Sequence, residues 1–308
     1  MKDLRAGASA VSVAAAPASA PAPAVSVAAA LASAPASAAP ASIAPLSTAV
    51  VQSTRPRDFL ARHGLGLVGA LLFLLLWEFA ARVFWRDPQV LPSPTQAMAS
   101  AWRHLSALEL AAHVGVSMAR IIVGFAIAAV LGIALGVAAG WYRWVGRIVR
   151  PVVDLLRPVP PLAWIPIAIV WFGLGEKSKW FVIFLGAFFP IFTNAYRGMI
   201  VIPPVLLRAA RTMDVDGIAL LAKVALPAAL PDIATGLRVG FGLSFGILVA
   251  AELIAADRGM GFLVMQSRQI GELGVAVFGI LLIGVVSLVS DAAIAAALRR
   301  VVGRGVRP

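Results

Sequence analysis

The chain has 308 residues, of which 61% are hydrophobic and 13% are charged, and its mean hydropathy is +0.93. Soluble domains are about half apolar and about a quarter charged, so this composition predicts an integral membrane protein. The absence of cysteine, with only three histidines, excludes thiolate chemistry and disulfides and argues against Cys/His zinc sites. The net charge of +12 does not require nucleic acid, because basic residues beside membrane spans mark the cytoplasmic side and meet lipid headgroups.

Residues 1–57 form an Ala/Pro/Ser-rich tract with few large apolar side chains. Such a segment buries too little surface to offset the entropy of ordering, so we expect a disordered N-terminal tail. A secretory signal is the alternative, because Lys2 and Arg5 precede apolar residues. Recurring Pro and Ser interrupt the continuous apolar region that a signal would need.

The segment 58–110 is predicted to hold a first membrane span and a short external helix. The apolar run at about 65–84 is long enough to cross a hydrocarbon core of about 30 Å. Arginines precede it, which places the N-terminus inside. The sequence PSPT at 92–95 then predicts the start of a short helix at about 96–105.

The second and third predicted spans differ in character. The second, at about 116–140, has a small residue at every fourth position, which is typical of a helix packed closely against another. The third, at about 152–172, contains Pro158, Pro160 and Pro161, which predict a bend beside a translocation path. Alternatively, its first turns lie in the membrane interface, with Asp154 and Arg157 paired.

Three more spans are predicted at about 180–199, 233–254 and 275–297. Asn194 in the fourth is expected to form an interhelical hydrogen bond or to face the path, and Ser244 in the fifth is a second path candidate. Lys and Arg then favour one side of the membrane, which predicts about six spans with both termini cytoplasmic. A basic tail, 301–308, closes the chain.

The connection between the fourth and fifth spans is polar and short enough to be rigid. Residues 206–213 predict one helix, Asp214 interrupts it, and Asp216 is placed to cap a second helix that ends before Leu226 and Pro227. Two short helices at an angle would form a protrusion able to transmit force. An amphipathic connector lying on the membrane is the alternative.

This connection, RAARTMD at 208–214 followed by LP at 226–227, resembles the "EAA" loop of binding-protein-dependent ABC importer permeases. Further motifs extend the resemblance to the nitrate/sulfonate/taurine-type family, and most closely to its taurine and aliphatic sulfonate branch. They are RPVPPLAW at 157–164, WFGLGE at 171–176, LPAALP at 226–231, TGLR at 235–238 and AAELIA at 250–255. Arg208 replaces the family's usual Glu, and Asp214 replaces its Gly. Asp adopts the left-handed backbone conformation at modest cost. We therefore expect Asp214 to form the turn that the family's Gly forms, with help from Gly217.

The resemblance implies an all-α type I ABC importer transmembrane domain at 111–300, with about six transmembrane helices and a cytoplasmic coupling loop. It implies that one set of residues contacts a separate ATPase: Arg208, Ala209, Ala210, Asp214, Asp216, Gly217, Leu226 and Pro227. The chain would be a non-catalytic inner-membrane subunit that binds no cofactor, while the ATPase holds ATP and Mg²⁺.

The implied partners are two ATPase copies, a second copy of this chain, a periplasmic substrate-binding protein and membrane lipid, without nucleic acid. The implied cargo is a small anion, taurine or another aliphatic sulfonate first, with nitrate, bicarbonate or another small solute as alternatives. An ion-coupled secondary transporter is the rival from another class. It is disfavoured because Glu78, Asp154, Glu252 and Asp291 all lie near the ends of spans.

Overall fold

The computed structural model describes residues 56–84 and 90–305, and each regular element in these ranges is a helix. The chain divides into two units, Met1–Ala61 and Arg62–Pro308. The first unit is described only where the first helix begins, so the tail predicted at 1–57 lies outside the described residues except for Pro56 and Arg57.

Eleven α-helices are described. They are α1 Pro56–Val83, α2 Pro94–His104, α3 Ala107–Trp141, α4 Arg143–Leu156, α5 Ile165–Phe172, α6 Glu176–Ile200, α7 Pro204–Arg211, α8 Gly217–Leu220, α9 Leu226–Ala255, α10 Met260–Gln269 and α11 Leu273–Gly305. A 3-10 turn, Pro161–Trp164, precedes α5, and a π turn, Leu221–Ala225, joins α8 to α9. Capping boxes at Ser93 and Ser106 begin α2 and α3 by satisfying the first backbone N–H groups.

Four described helical stretches are long and apolar enough to cross a membrane: Ala107–Trp141, Glu176–Ile200, Gly217–Ala255 and Leu273–Arg300. Helix α4 and residues 161–172 are together also long and apolar enough to cross, as a broken span bent by 87°. In α1, Leu71, Leu72 and Phe73 are 59–65% exposed, as lipid-facing side chains would be. A sixth crossing by α1 stays a prediction.

The core forms where α3 and α9 pack against the central helix α6. The predicted ridge of small residues on α3 is confirmed, since a Cβ added at Gly136 would lie 2.7 Å from the Cβ of Ala195. On the other side of α6, a Cβ at Gly236 would lie 2.7 Å from that of Asn194. Backbones approach closely only where side chains are this small, so these glycines fix the spacing of the three helices.

The bend predicted at Pro158, Pro160 and Pro161 is present, because α4 ends at Leu156 and the chain turns before the 3-10 segment. The alternative pairing of Asp154 with Arg157 is wrong: Asp154 pairs with Arg150, whose Nε lies 3.3 Å from Oδ2. Residues i and i+4 face each other once α4 extends back to Arg143.

Two predicted boundaries also shift. The second connection helix does not end before Leu226, since helical structure continues from Gly217 to Ala255. At the other end of the chain, α11 continues through Gly305, into the segment 301–308 predicted as a tail.

Candidate functional site

The candidate site is the connection between α6 and α9, residues 204–227, which we call the coupling segment. Proline at the first helical position of α7 fixes φ for helix entry without losing a bonded N–H. The helix closes at Arg211, and Thr212 donates from its hydroxyl to the carbonyl of Ala209 at 2.7 Å. The N–H of Val215 then turns back to the carbonyl of Ala210 at 3.1 Å. These bonds give the segment a defined shape.

Asp214 has a φ of +57°, and it is the one non-glycine residue with positive φ in the described ranges. Gly217 follows with a φ of +58°. Most L residues lose about 1–2 kcal/mol in this region, and Asp is among the few that enter it readily. The left-handed turn expected at Asp214, with help from Gly217, is therefore present.

Asp216 occupies the N-cap position of α8, but its side chain makes no capping hydrogen bond. Its Oδ1 lies 3.7 Å from Nε of Arg211. The prediction that its carboxylate caps the helix is wrong, since the carboxylate turns toward the guanidinium instead. Both side chains are exposed, so this pair contributes little to stability.

Leu226 and Pro227 lie inside a continuous helix rather than at its end. The N–H of Leu226 reaches the carbonyl of Leu221, five residues earlier, in the π turn. Pro227 has no N–H and so interrupts the α-helical hydrogen-bond pattern. The π turn before it lets the helix continue past this interruption. The coupling segment is thus joined rigidly to the long helix α9.

The outer surface of the coupling segment combines charge with exposed apolar side chains. Arg208, Asp214 and Asp216 are exposed. Met213 is 77% exposed and Ile218 is 76% exposed. An exposed apolar centre with a charged rim is typical of a protein contact surface.

Among the predicted path residues, Asn194 does not make the expected interhelical hydrogen bond. Its Nδ2 donates to the carbonyl of Pro190 within α6, at 2.8 Å. Ser244 is fully buried, and its hydroxyl donates to the carbonyl of Gly240 at 2.9 Å. In a helix such back-bonding satisfies one donor of each side chain locally. Ser244 is buried away from any solute in this arrangement, whereas the amide oxygen of the half-buried Asn194 takes no part in its bond to Pro190.

A buried charge network that was not expected from the sequence joins α3, α6 and α9 at the end opposite the coupling segment. Arg120 is 2% exposed and Glu252 is 1% exposed. Nη1 of Arg120 donates to Glu252 at 2.8 Å, while Nη2 and Nε donate to Glu176 at 2.6 and 2.7 Å. A guanidinium presents a planar fork of donors, which suits two carboxylates at once.

The remaining lone pairs of Glu252 are also satisfied. Ser117 donates to Oε1 at 2.8 Å, and the backbone N–H of Gly261 donates to Oε2 at 2.8 Å. A Cβ added at Gly259 would meet this carboxylate, so only glycine fits there. The loop between α9 and α10 is thereby attached to the buried pair. The signal in the sequence was Arg120 itself, a charge inside an apolar helix.

Residues 128–303 match the family described as the binding-protein-dependent transport system inner membrane component. The chain belongs to this family. It is therefore the non-catalytic permease component of an ABC importer and lies in the inner membrane. Permeases of this kind bind no cofactor themselves, and the family implies an ATPase partner and a substrate-binding protein.

Three relatives place the permease in the sulfonate, taurine and bicarbonate group. It is 36% identical to the taurine transport system permease of Escherichia coli K12, over 76% of this chain and 87% of the relative. It is 37% identical to the putative aliphatic sulfonates transport permease of the same organism, over 70% and 82%. It is 38% identical to the bicarbonate transport system permease of Synechococcus elongatus, over 57% and 63%.

Proposed function

We propose that this permease imports a small anion, with taurine or another aliphatic sulfonate as its cargo, and that the coupling segment docks a separate ATPase. The observation that carries the docking proposal is the left-handed turn at Asp214 and Gly217 beside the exposed side chains of Met213 and Ile218. A fixed turn presents these apolar groups at one place, where they can fill a groove on a partner. The residues proposed to form or support the contact are Arg208, Ala209, Ala210, Asp214, Asp216, Gly217, Leu226 and Pro227.

Force can pass from the coupling segment into the membrane domain through α9. The helix continues from Gly217 to Ala255 and packs along α6. Movement of the segment would therefore rotate or shift α9 as a body. Ala225 and Ala229, which are fully buried, tie the start of α9 to the end of α6.

The proposed cycle uses two copies of the permease and two ATPases that hold ATP and Mg²⁺. ATP-driven closure of the ATPase pair brings the coupling segments together and opens the path outward, and hydrolysis returns it inward. ATP must bind better to the outward state, because a ligand shifts an equilibrium only by its differential affinity. The termini and coupling segment are cytoplasmic in this scheme, and a periplasmic binding protein delivers the anion to the opposite end.

The cargo proposal is supported by the taurine and aliphatic sulfonate relatives, which match more of this chain than the bicarbonate relative does. Bicarbonate or nitrate is the alternative anion. The bend at Pro158, Pro160 and Pro161 is proposed to border the path, because Pro158 and Pro160 are exposed at an 87° break. Non-helical backbone at membrane depth is tolerated where it borders protein or a water-filled path.

The secondary-transporter alternative requires a titratable group that exchanges a coupling ion. Glu252 is buried, but Arg120, Ser117 and Gly261 already occupy its oxygens. It also lies within the last turn of α9, away from the helix centre. A carboxylate held this way acts as a structural partner of arginine.

Co-purification tests the docking proposal. Met213→Asp with Ile218→Asp places two charges in the proposed apolar contact, and we expect the variant to remain folded in the membrane but to lose the ATPase. Met98→Asp is the matched control, since Met98 is 56% exposed on α2. Equal ATPase retention by both variants would contradict docking through this segment.

Uptake of radiolabelled taurine tests the cargo. Cells that make the permease with its ATPase and binding protein should accumulate taurine only while ATP is available. Excess aliphatic sulfonate should compete, and bicarbonate or nitrate should not. If bicarbonate alone competes, the cargo is bicarbonate and not a sulfonate. This outcome would not affect the docking proposal, which co-purification tests separately.

A further inference from the structure

An arginine-lined groove lies between the end of α3, helix α4 and the end of α6. Its volume is about 640 Å³, and Arg143, Arg147, Arg150, Asp154 and Tyr196 contribute its polar surface. Gly140 packs against Met199 here, so the groove lies at the same end of the bundle as the coupling segment. This charge cluster lies outside the coupling segment.

Helix α4 presents its basic residues on one face. Arg143, Arg147 and Arg150 are spaced four and three residues apart, and Asp154 follows four residues later. At 3.6 residues per turn these four positions form a single stripe. Three guanidinium groups and one carboxylate give the stripe a net charge of about +2, which matches one or two phosphate charges.

Part of the stripe is already engaged. Nε of Arg150 lies 3.3 Å from Oδ2 of Asp154, and Cζ of Arg150 lies 5.5 Å from the ring centroid of Tyr196. These two contacts fix the position of the Arg150 guanidinium. Within the described ranges, neither Arg143 nor Arg147 forms an ion pair. Both are exposed and border the groove. The groove therefore holds one oriented arginine and two whose charge is unneutralised by the chain.

The face of α4 next to the stripe is apolar and exposed. Trp144 is 66%, Ile148 is 64% and Leu155 is 75% exposed, and these residues lie about a third of a turn from the arginines. A membrane helix with a basic face beside an apolar face lies where headgroups meet acyl chains. Trp144 suits this depth because its ring is apolar and its N–H is polar.

We propose that this groove binds the phosphate headgroup of an anionic phospholipid, with Arg143 and Arg147 as the binding residues and Arg150 as the positioned third donor. The acyl chains lie along the face of Trp144, Ile148 and Leu155. Arginine forms charge-assisted hydrogen bonds with phosphate oxygens in a bidentate geometry. A lipid seated here would link α3, α4 and α6 at the end that bears the coupling segment.

Native mass spectrometry of the full chain in detergent micelles tests this assignment. The probes are dioleoyl phosphatidylglycerol, dioleoyl phosphatidylcholine and inorganic phosphate. The wild type should retain one tightly bound phosphatidylglycerol per chain, retain no phosphatidylcholine at the same concentration, and keep its lipid in millimolar phosphate. Arg143→Gln with Arg147→Gln should weaken phosphatidylglycerol binding at least about tenfold, since each arginine near an anionic lipid contributes about 1 kcal/mol.

Arg299→Gln with Arg300→Gln is the matched control, because it removes the same charge from the end of α11, away from the groove. Its binding should stay within about twofold of wild type. Equal loss in both variants would show bulk attraction to basic protein and overturn the assignment. Displacement by inorganic phosphate would identify a free-anion site instead. Unchanged lipid binding in the groove variant, with loss of the ATPase, would make the stripe a protein contact.

Discussion

Arg120 on α3 donates a hydrogen bond to Glu252 on α9 at 2.8 Å, and both side chains are almost completely buried. Glu176 at the start of α6 accepts from the same guanidinium. The three central helices are therefore joined by charge at one end, while the coupling segment lies at the other. Removing one partner of a buried pair leaves the other charge without compensation, which costs about 3–5 kcal/mol.

Arg120→Met should destabilise the permease strongly, because it leaves Glu252 and Glu176 without their guanidinium. We expect a loss of about 3–5 kcal/mol, measured as a lower unfolding temperature in detergent. Adding Glu252→Gln to this variant should recover part of the loss. Arg103→Met, which alters an exposed arginine on α2, is the control. Strictly additive effects of Arg120→Met and Glu252→Gln would contradict coupling between them.

Gly136→Ala should destabilise the contact between α3 and α6. The added Cβ would meet the carbonyl oxygen of Phe192 at 2.7 Å, and overpacking of this kind costs about 1–3 kcal/mol. Gly115→Ala on the same helix meets nothing within 4 Å and should be neutral or slightly stabilising, since alanine favours helix. Thermal unfolding in detergent compares the two. Equal behaviour of both variants would mean that the close approach at Gly136 is not required.

Asp214→Gly should preserve coupling and Asp214→Val should impair it. The residue at this position has a φ of +57°, which glycine adopts freely and a β-branched side chain adopts only with strain. The measurement is ATP hydrolysis by the assembled transporter when stimulated by its binding protein, and we expect a several-fold loss for valine. If the binding protein stimulates ATP hydrolysis equally in the valine and glycine variants, the left-handed turn has no part in coupling.

Ser244→Ala should leave transport within about twofold of wild type. Among the described residues, the hydroxyl of Ser244 bonds only to the carbonyl of Gly240 on its own helix, and the side chain is fully buried. Such a local bond to the backbone contributes little net stability. Initial rates of taurine uptake are the measurement. A large rise in the KM for taurine would restore Ser244 as a path residue.

The helix-packing pattern could be predicted from the sequence because it depends on periodicity. Small residues at every fourth position of α3 predicted a close helix contact, which the structure places between Gly136 and Ala195. Proline at 158, 160 and 161 likewise predicted the break before α5, because a proline lacks a backbone N–H donor whatever its surroundings. The turn at Asp214 was expected from the resemblance, because Asp replaces the family's Gly there and is among the few residues that enter the left-handed region readily.

Contacts between distant parts of the chain were beyond sequence reasoning. Arg120 and Glu252 are separated by 132 positions, and nothing local specifies their pairing. The partner of Asp216 could not be predicted either, although it is close in sequence. Its carboxylate can reach the backbone N–H groups of α8 or the guanidinium of Arg211, and in the structure it pairs with Arg211. The π turn at Leu221–Ala225 was missed because Leu226 and Pro227 can equally end a helix or lie within one.

The central claim is that the coupling segment touches the ATPase, and site-directed photocrosslinking tests it most directly. The chain has no cysteine, so Met213→Cys or Ile218→Cys introduces a single site for a maleimide-benzophenone probe. Met98→Cys on α2 provides the control. We expect an adduct with the ATPase from positions 213 and 218, changed in yield by ATP, and none from position 98. An ATPase that co-purifies but forms no adduct with either coupling-segment probe would contradict it.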